Sequence, residues 1–189
     1  MKGEAVAKAN NRLERMRQSV EMMRSGKDPA QLEKAWEEFV FAASTFYSAL
    51  EQGAKINNKS KAWFGRKKHE RKTDPLLRYI HHARNAEEHG LKRITGRASS
   101  ALELKSQGSH VTLRADDGRW VVDNMGGDVE FANDIVTLAR VHDARFNDWF
   151  DPPTLHLDQP IANASPLMVA ELGLAYLEIM FNEAASLVQ

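Results

Sequence analysis

Asp74-Pro75-Leu76-Leu77-Arg78-Tyr79-Ile80-His81-His82-Ala83-Arg84-Asn85-Ala86-Glu87-Glu88-His89-Gly90 is the stretch that decides the fold. Both of its ends are marked. Asp74 can accept a backbone N–H bond as N-cap, Pro75 suits the first helical position, where no donor is needed, and Gly90 suits a left-handed stop. The stretch predicts about four turns of helix, from Pro75 to His89. Leu76, Leu77, Ile80, Ala83 and Ala86 recur at helical spacing and predict a core-facing stripe. His82, Asn85 and His89, three, four and seven residues apart, share another side. Arg84 and His89 lie about 140° apart around the axis, so one helix does not aim both at one small target. A second copy across a two-fold axis would bring the pair together around a shared cleft.

Arg84-Asn85-Ala86-Glu87-Glu88-His89 resembles the arginine, polar residue and histidine motif of the HEPN superfamily, the higher eukaryotes and prokaryotes nucleotide-binding domains. The resemblance covers the motif helix and, more loosely, the helices before it and the last one. It implies a helical bundle, a homodimer, and an RNA-binding protein with a metal-independent endoribonuclease site where two motif helices meet. It also implies a setting in stress response, phage defence or a toxin–antitoxin pair. Arg84, Asn85 and His89 are the candidate catalytic residues. The chemistry of the residues agrees: a histidine titrates near neutrality and can carry the proton of a ribose hydroxyl or a leaving oxygen. An arginine is always cationic and can fork onto a phosphate as its charge grows. Asn85 would orient the histidine or donate to the phosphate. A plainer account pairs Arg84 with Glu87 or Glu88 and leaves His89 to support the helix end through its dipole.

Outward from this helix, charge is unevenly spread. The chain sums to zero, yet residues 55–97 carry thirteen basic and four acidic side chains, and residues 98–189 five basic and fourteen acidic. Lys55 to Lys72 is the basic segment, with Trp63-Phe64 at its middle. Lys61, Arg66, Lys67, Lys68 and Arg71 are its candidate RNA-binding residues, because cations hold phosphates while rings stack on bases. The alternative uses are neutralisation within the fold and a short connecting helix pinned to the bundle by Trp63 and Phe64.

Two helices precede this segment. One covers about residues 3–24, with Leu13, Met16, Val20 and Met23 as its stripe. The next, from Pro29 to Gly53, carries Trp36, Phe39, Val40, Ala43, Phe46, Tyr47 and Leu50 at three- and four-residue spacing, which predicts core packing rather than a base-stacking platform. After Gly90 the period falls from 3.6 to two: residues 101–105, 110–114, 119–123, 128–132 and 135–141 read as strands, with Gly108, Asp117-Gly118 and Gly126-Gly127 as turns. They predict an antiparallel meander over 98–145, a lid, protein-partner face or dimerisation element. A loop over 146–164 follows, and Ser165-Pro166 opens a last apolar helix over 165–188.

The expected architecture is therefore α+β and a single domain over 1–189: an HEPN-like bundle of four or five helices, with residues 1–97 supplying the N-terminal ones, and an antiparallel β insertion before the last. No cysteine is present, which excludes disulfides, thiolate metal sites and cysteine nucleophiles and fits a reducing cytoplasm. No segment is apolar enough to span a bilayer. No phosphate-binding P-loop, dinucleotide glycine pattern or Gly-x-Ser-x-Gly elbow occurs, and His81, His82, Glu88 and His89 lack a metal-ligand spacing. Neither cofactor nor metal is expected. The rival functions are a non-catalytic protein-interaction module using the β insertion and a nucleotide or small-molecule binder using the polar face of the motif helix.

Overall fold

The computed structural model describes residues 1–26, 28–90, 93–104, 106–116, 119–143 and 147–188, with the backbone alone at 87–90, 99–104, 119–120 and 129–134. It is α+β, with five helices and short antiparallel strand pairs, and β structure precedes the last helix. Contacts group it into two compact units, Met1–Gly96 with Val136–Gln189, and Arg97–Ile135. No helix among the described residues is long and apolar enough to cross a membrane.

The helical unit starts with α1, Gly3–Ser25, which buries Val6, Ala9, Leu13, Met16, Val20 and Met23 along one stripe. Helix α2, Pro29–Ala54, opens where the Asp28 carboxylate accepts the Ala30 N–H at 3.1 Å, with proline in the first turn. All seven residues of its predicted stripe are buried. The Trp36 ring, fully enclosed, stacks at 5.9 Å on Phe39 and at 6.4 Å on Tyr79. The stripe is thus core, and no base could reach it.

Helix α3, Asn58–Thr73, is capped by Asn57, whose side chain accepts the Ser60 N–H at 2.8 Å. Trp63 and Phe64 are buried, as a pinned connecting helix requires. Helix α4, Pro75–Gly90, follows after one residue. Helix α5, Pro166–Ser186, is capped by Ser165, which accepts the Met168 N–H at 3.2 Å. Trp63 Nε1 donates to Glu183 Oε2 at 2.7 Å, which ties α3 to α5. Helix α4 packs against α2, α3 and α5, and Tyr79, Ile80, Ala83 and Ala86 join the common core. At Gly173 of α5 the backbone comes close enough that a Cβ would sit 2.7 Å from Ile80 Cδ1 and 3.4 Å from Phe39 Cζ.

Past α4 the period-two segments form strands, but in a nested order. Strand β1, Thr95–Leu104, pairs with β4, Val129–Leu138, while β2, His110–Asp116, pairs with β3, Arg119–Gly126. A sequential meander would have joined β1 to β2 and β3 to β4. The reason lies where the chain passes from one pair to the other. Ser109 Oγ accepts the Asp128 N–H and meets the Asp128 carbonyl, both at 3.0 Å. Gly127, at φ +78°, lies so close that a Cβ would fall 2.7 Å from Ser109 Cα. Gly108, Gly126 and Gly127, read as hairpin turns, instead lie at a side-by-side junction between the two pairs, while Asp117-Gly118, read as a turn between β2 and β3, lies outside the described residues. The β2–β3 register runs from His110↔Gly126 to Asp116↔Arg119, with a bulge between Thr112 and Leu113.

The segment expected as loop also contains structure. Strand β5, Val141–Asp143, pairs with β6, Asp148–Phe150, and β7, Leu155–His156, pairs with β8, Gln159–Pro160. Residues 135–138 of the fifth predicted strand belong to β4 instead. The β7–β8 turn puts Leu157 and Asp158 at φ +47° and +62°, the left-handed pair that suits a two-residue hairpin but not a leucine. Asp74 holds it there. Its carboxylate accepts the Leu157 N–H at 2.7 Å and lies 3.1 and 3.2 Å from His156 Nδ1, while also capping α4 through the Leu77 N–H at 2.8 Å.

Two substitutions at glycine separate packing from backbone entropy. Gly173→Leu should lower unfolding free energy by about 1–3 kcal/mol through overpacking. Gly65→Ala, in the middle of α3 with open space around it, should raise it by about 0.5–1 kcal/mol. Asp74→Ala removes a cap and strands buried donors, and should cost about 2–4 kcal/mol. Denaturant midpoints at constant m-value check all three.

Candidate functional site on the polar face of the fourth helix

The polar face of α4 is assembled around a residue from β5. Asp143 is 4% exposed, and its Oδ2 lies 2.8 Å from His82 Nδ1 and accepts a long bond from Asn85 Nδ2 at 3.5 Å. Arg84 Nη1 in turn points to Asn85 Oδ1 at 3.5 Å. Three residues of one helix are thereby linked to one buried carboxylate. The predicted common side of His82 and Asn85 is real, and it is the side that meets β5. The His82 ring also stacks nearly parallel on Phe150 of β6, centroids 3.7 Å apart, and Arg78 lies over the same ring at 5.6 Å.

A carboxylate only accepts, so the His82 proton belongs on Nδ1, facing Asp143, and Nε2 carries the lone pair. Burial lowers the His82 pKa by more than the Asp143 bond raises it, so the ring is neutral near pH 7. His81, one position before it, is pushed down to about 4, first by burial and then by the cations of Arg71 and a protonated His82. Asp74 shows the opposite balance. Burial pushes its carboxyl up, but bonds from His156, Leu157 and Leu77 outweigh this and hold it below the usual carboxylate range.

The motif residues are placed unequally. Arg84 and Asn85 are half-buried and joined to one another; His89 lies on the α4 backbone, and its side chain, like those of Glu87 and Glu88, is outside the described residues. Of the basic segment, Lys61 and Arg66 are exposed on α3. Lys67 is buried between Glu70 at 3.2 Å and Glu183 at 3.1 Å, and Lys68 meets Glu51 at 3.3 Å. Arg71 lies over the Tyr47 ring at 4.4 Å. The five cations therefore point several ways around α3, and Lys67 and Arg71 act as internal fasteners.

Two features went unread in the sequence. A cleft of about 500 Å³ between α1 and α2 is lined by Lys2, Lys8, Arg12 and Lys55 against a single acid, Glu4. Asp143 itself, some sixty residues from its partners, carries no spacing signal. Among the described residues no group of three or more histidine, aspartate or glutamate side chains is gathered to hold a metal ion. Compared with known families, curated proteins and solved structures, the chain matches none.

The titrations give a signed pH profile. A histidine depressed in the fold binds its proton more readily unfolded, so His81 and His82 contribute stability above pH 6.5 that is lost as pH falls, for His81 down to about 4. The Asp74 contribution persists lower, present above the ordinary carboxylate pKa and lost as pH falls through its depressed folded value. Unfolding free energy should therefore decline between pH 6.5 and 4. His81→Gln should flatten that slope, measured by denaturant titration at half-unit pH steps; an unchanged slope would remove His81 from the account.

Proposed function

We propose that the chain is an RNA-binding protein of HEPN type that cleaves RNA without a metal, as a homodimer whose site combines Arg84, Asn85 and His89. The observation that carries this reading is the linkage of Arg84 and Asn85, through the buried Asp143, to the polar face of α4. Positioned polar side chains on a rigid helix are what proton transfer and phosphate binding need. Support for strand binding comes from the exposed Lys61 and Arg66 on α3 and from the basic cleft between α1 and α2. On this reading His89 takes the 2′-hydroxyl proton as the 2′-oxygen attacks phosphorus, the P–O5′ bond breaks to leave a 2′,3′-cyclic phosphate, the departing 5′-oxygen takes up a proton, and Arg84 meets the charge on the non-bridging phosphate oxygens.

A mixed-sequence RNA incubated in EDTA tests it. Wild type should cleave, and Arg84→Ala and His89→Ala should each lose about a hundredfold or more in rate with the dimer intact. A folded wild-type dimer that cleaves nothing would sink the nuclease reading.

One observation favours a second reading, a non-catalytic protein-interaction module. The β2–β3 pair brings Val111 opposite Met125, Leu113 opposite Val122 and Ala115 opposite Trp120, and Leu113, Val122 and Met125 are exposed. That reading expects no turnover, and a protein partner lost when Leu113 is replaced by lysine.

A further inference from the structure

The cleft between α1 and α2 has a floor of small residues and a basic wall. The floor is set at Gly53, where the Lys2 N–H donates to the Gly53 carbonyl at 3.1 Å and a Cβ would collide with that of Ala5. The helices run antiparallel from that contact, and Ala5, Lys8 and Arg12, three and seven residues apart, share one flank of α1. Opposite them, the α2 side of the groove runs from Gly53 back to Thr45, about 12 Å of helix. By this register Lys2 and Lys55 stand at one end, Arg12 lines the other and Lys8 lies between. Among the described residues the side chains of Lys2, Lys8 and Arg12 have no ion-pair partner, and Arg12 Nε is enclosed without a hydrogen bond. Lys55 Nζ reaches only the neutral Gln52 amide oxygen, at 2.9 Å, and Glu4 pairs with none of the four. The far half of the same helix differs: Arg17 holds Glu14 and Glu178, and Arg24 holds Glu21 and Glu171.

We propose that this groove is a phosphodiester track, in which Lys2, Lys8 and Arg12 meet successive phosphates of a single-stranded RNA. Cations on a concave wall reinforce one another's potential, and with no carboxylate of the chain beside them they are balanced by an anion from outside. The Arg12 guanidinium can fork onto two oxygens of one phosphate, whereas Lys2 and Lys8 act as point charges. The four-residue step from Lys8 to Arg12 rises about 6 Å, close to the step between neighbouring phosphates of an extended strand. A lone phosphate would fill one end of the groove, and cations spread along its length fit a chain of them. No aromatic ring lines the groove among the described residues, so it offers the bases no stacking surface and holds the strand by its backbone, whatever the sequence. The track deepens the RNA reading and rests on it for the identity of its ligand.

Fluorescence anisotropy of a short labelled strand with 2′-O-methyl groups tests the track on the full chain, since such a strand keeps its phosphates and has no 2′-nucleophile to be cleaved. Lys8→Gln and Arg12→Gln should each weaken binding about fivefold at roughly 0.1 M salt and lower the slope of log affinity against log salt by about 0.7. The double variant should lose about 25-fold and about 1.4 in slope, equally for strands of different sequence. Arg12→Lys should keep the slope. Lys8 and Arg12 lie outside the hydrophobic core, and denaturant midpoints verify the fold of each variant. Inorganic pyrophosphate should compete weakly; if it binds as tightly as the strand, the groove takes free phosphates and the assignment to a strand falls. A wild type that binds the strand, with an unchanged slope in the double variant, would overturn the track alone. A wild type that binds no strand would remove the RNA reading together with the track, whereas slope-dependent binding without cleavage of unmodified RNA would sink only the nuclease.

Discussion

The Asp74 carboxylate is the constraint on which the functional half of the molecule depends. One side chain ends the α3 to α4 junction by capping α4 through Leu77, and it receives the Leu157 N–H and His156 from the β7–β8 hairpin. Its two oxygens thus set the start of the helix bearing the motif against that hairpin. The arrangement works because the acceptor is buried and ionised, where bonds from N–H groups are strong and an orphaned partner is costly. It also explains a leucine at positive φ: local preference at Leu157 loses to a hydrogen bond from its own N–H. Asp143 repeats the device two turns further along α4, binding His82 and Asn85 to β5. Two aspartates, one at the start of the helix and one at its middle, hold two small hairpins in place.

Polar groups shared with α5 extend this logic into the core. Tyr176 donates to Glu70 at 2.5 Å, Glu70 meets Lys67, and Lys67 meets Glu183, which also accepts from Trp63. An ammonium so enclosed needs carboxylates beside it, since burial of an unpaired charge is prohibitive. The basic segment is in this way partly consumed by the fold. Its sum of charge gives no measure of the exposed basic surface, because the sum does not distinguish buried Lys67 from exposed Lys61.

What could be read from the sequence follows from the range of the interactions involved. Helix starts at Asp28, Asp74 and Ser165 are local, each a side chain bonding a backbone N–H two or three residues on, and periodicity identified the stripes of α1, α2 and α4, whereas the Asn57 cap of α3 was passed over. Strand type was legible from period-two alternation. Strand partnership was legible for the adjacent β2 and β3 but not for β1, which joins β4 where Ser109 and Asp128 meet across nineteen residues, and no local pattern encodes that choice. The Asp-, Pro- and aromatic-rich run after residue 146 reads as loop because β6, β7 and β8 are too short to show a period. The site divides along the same line. The shared side of His82 and Asn85 is a property of one helix, whereas Asp143 and Phe150 reach it through the tertiary fold.

The proposed activity turns on a geometric mismatch within a single chain. About 140° separates Arg84 from His89 on an ideal helix, and Arg84 leans toward Asn85, hence toward the Asp143 side. A single copy would have to bend a phosphate around the helix to engage both. Two copies related by a two-fold axis remove the conflict, because the arginine of one helix can then face the histidine of the other.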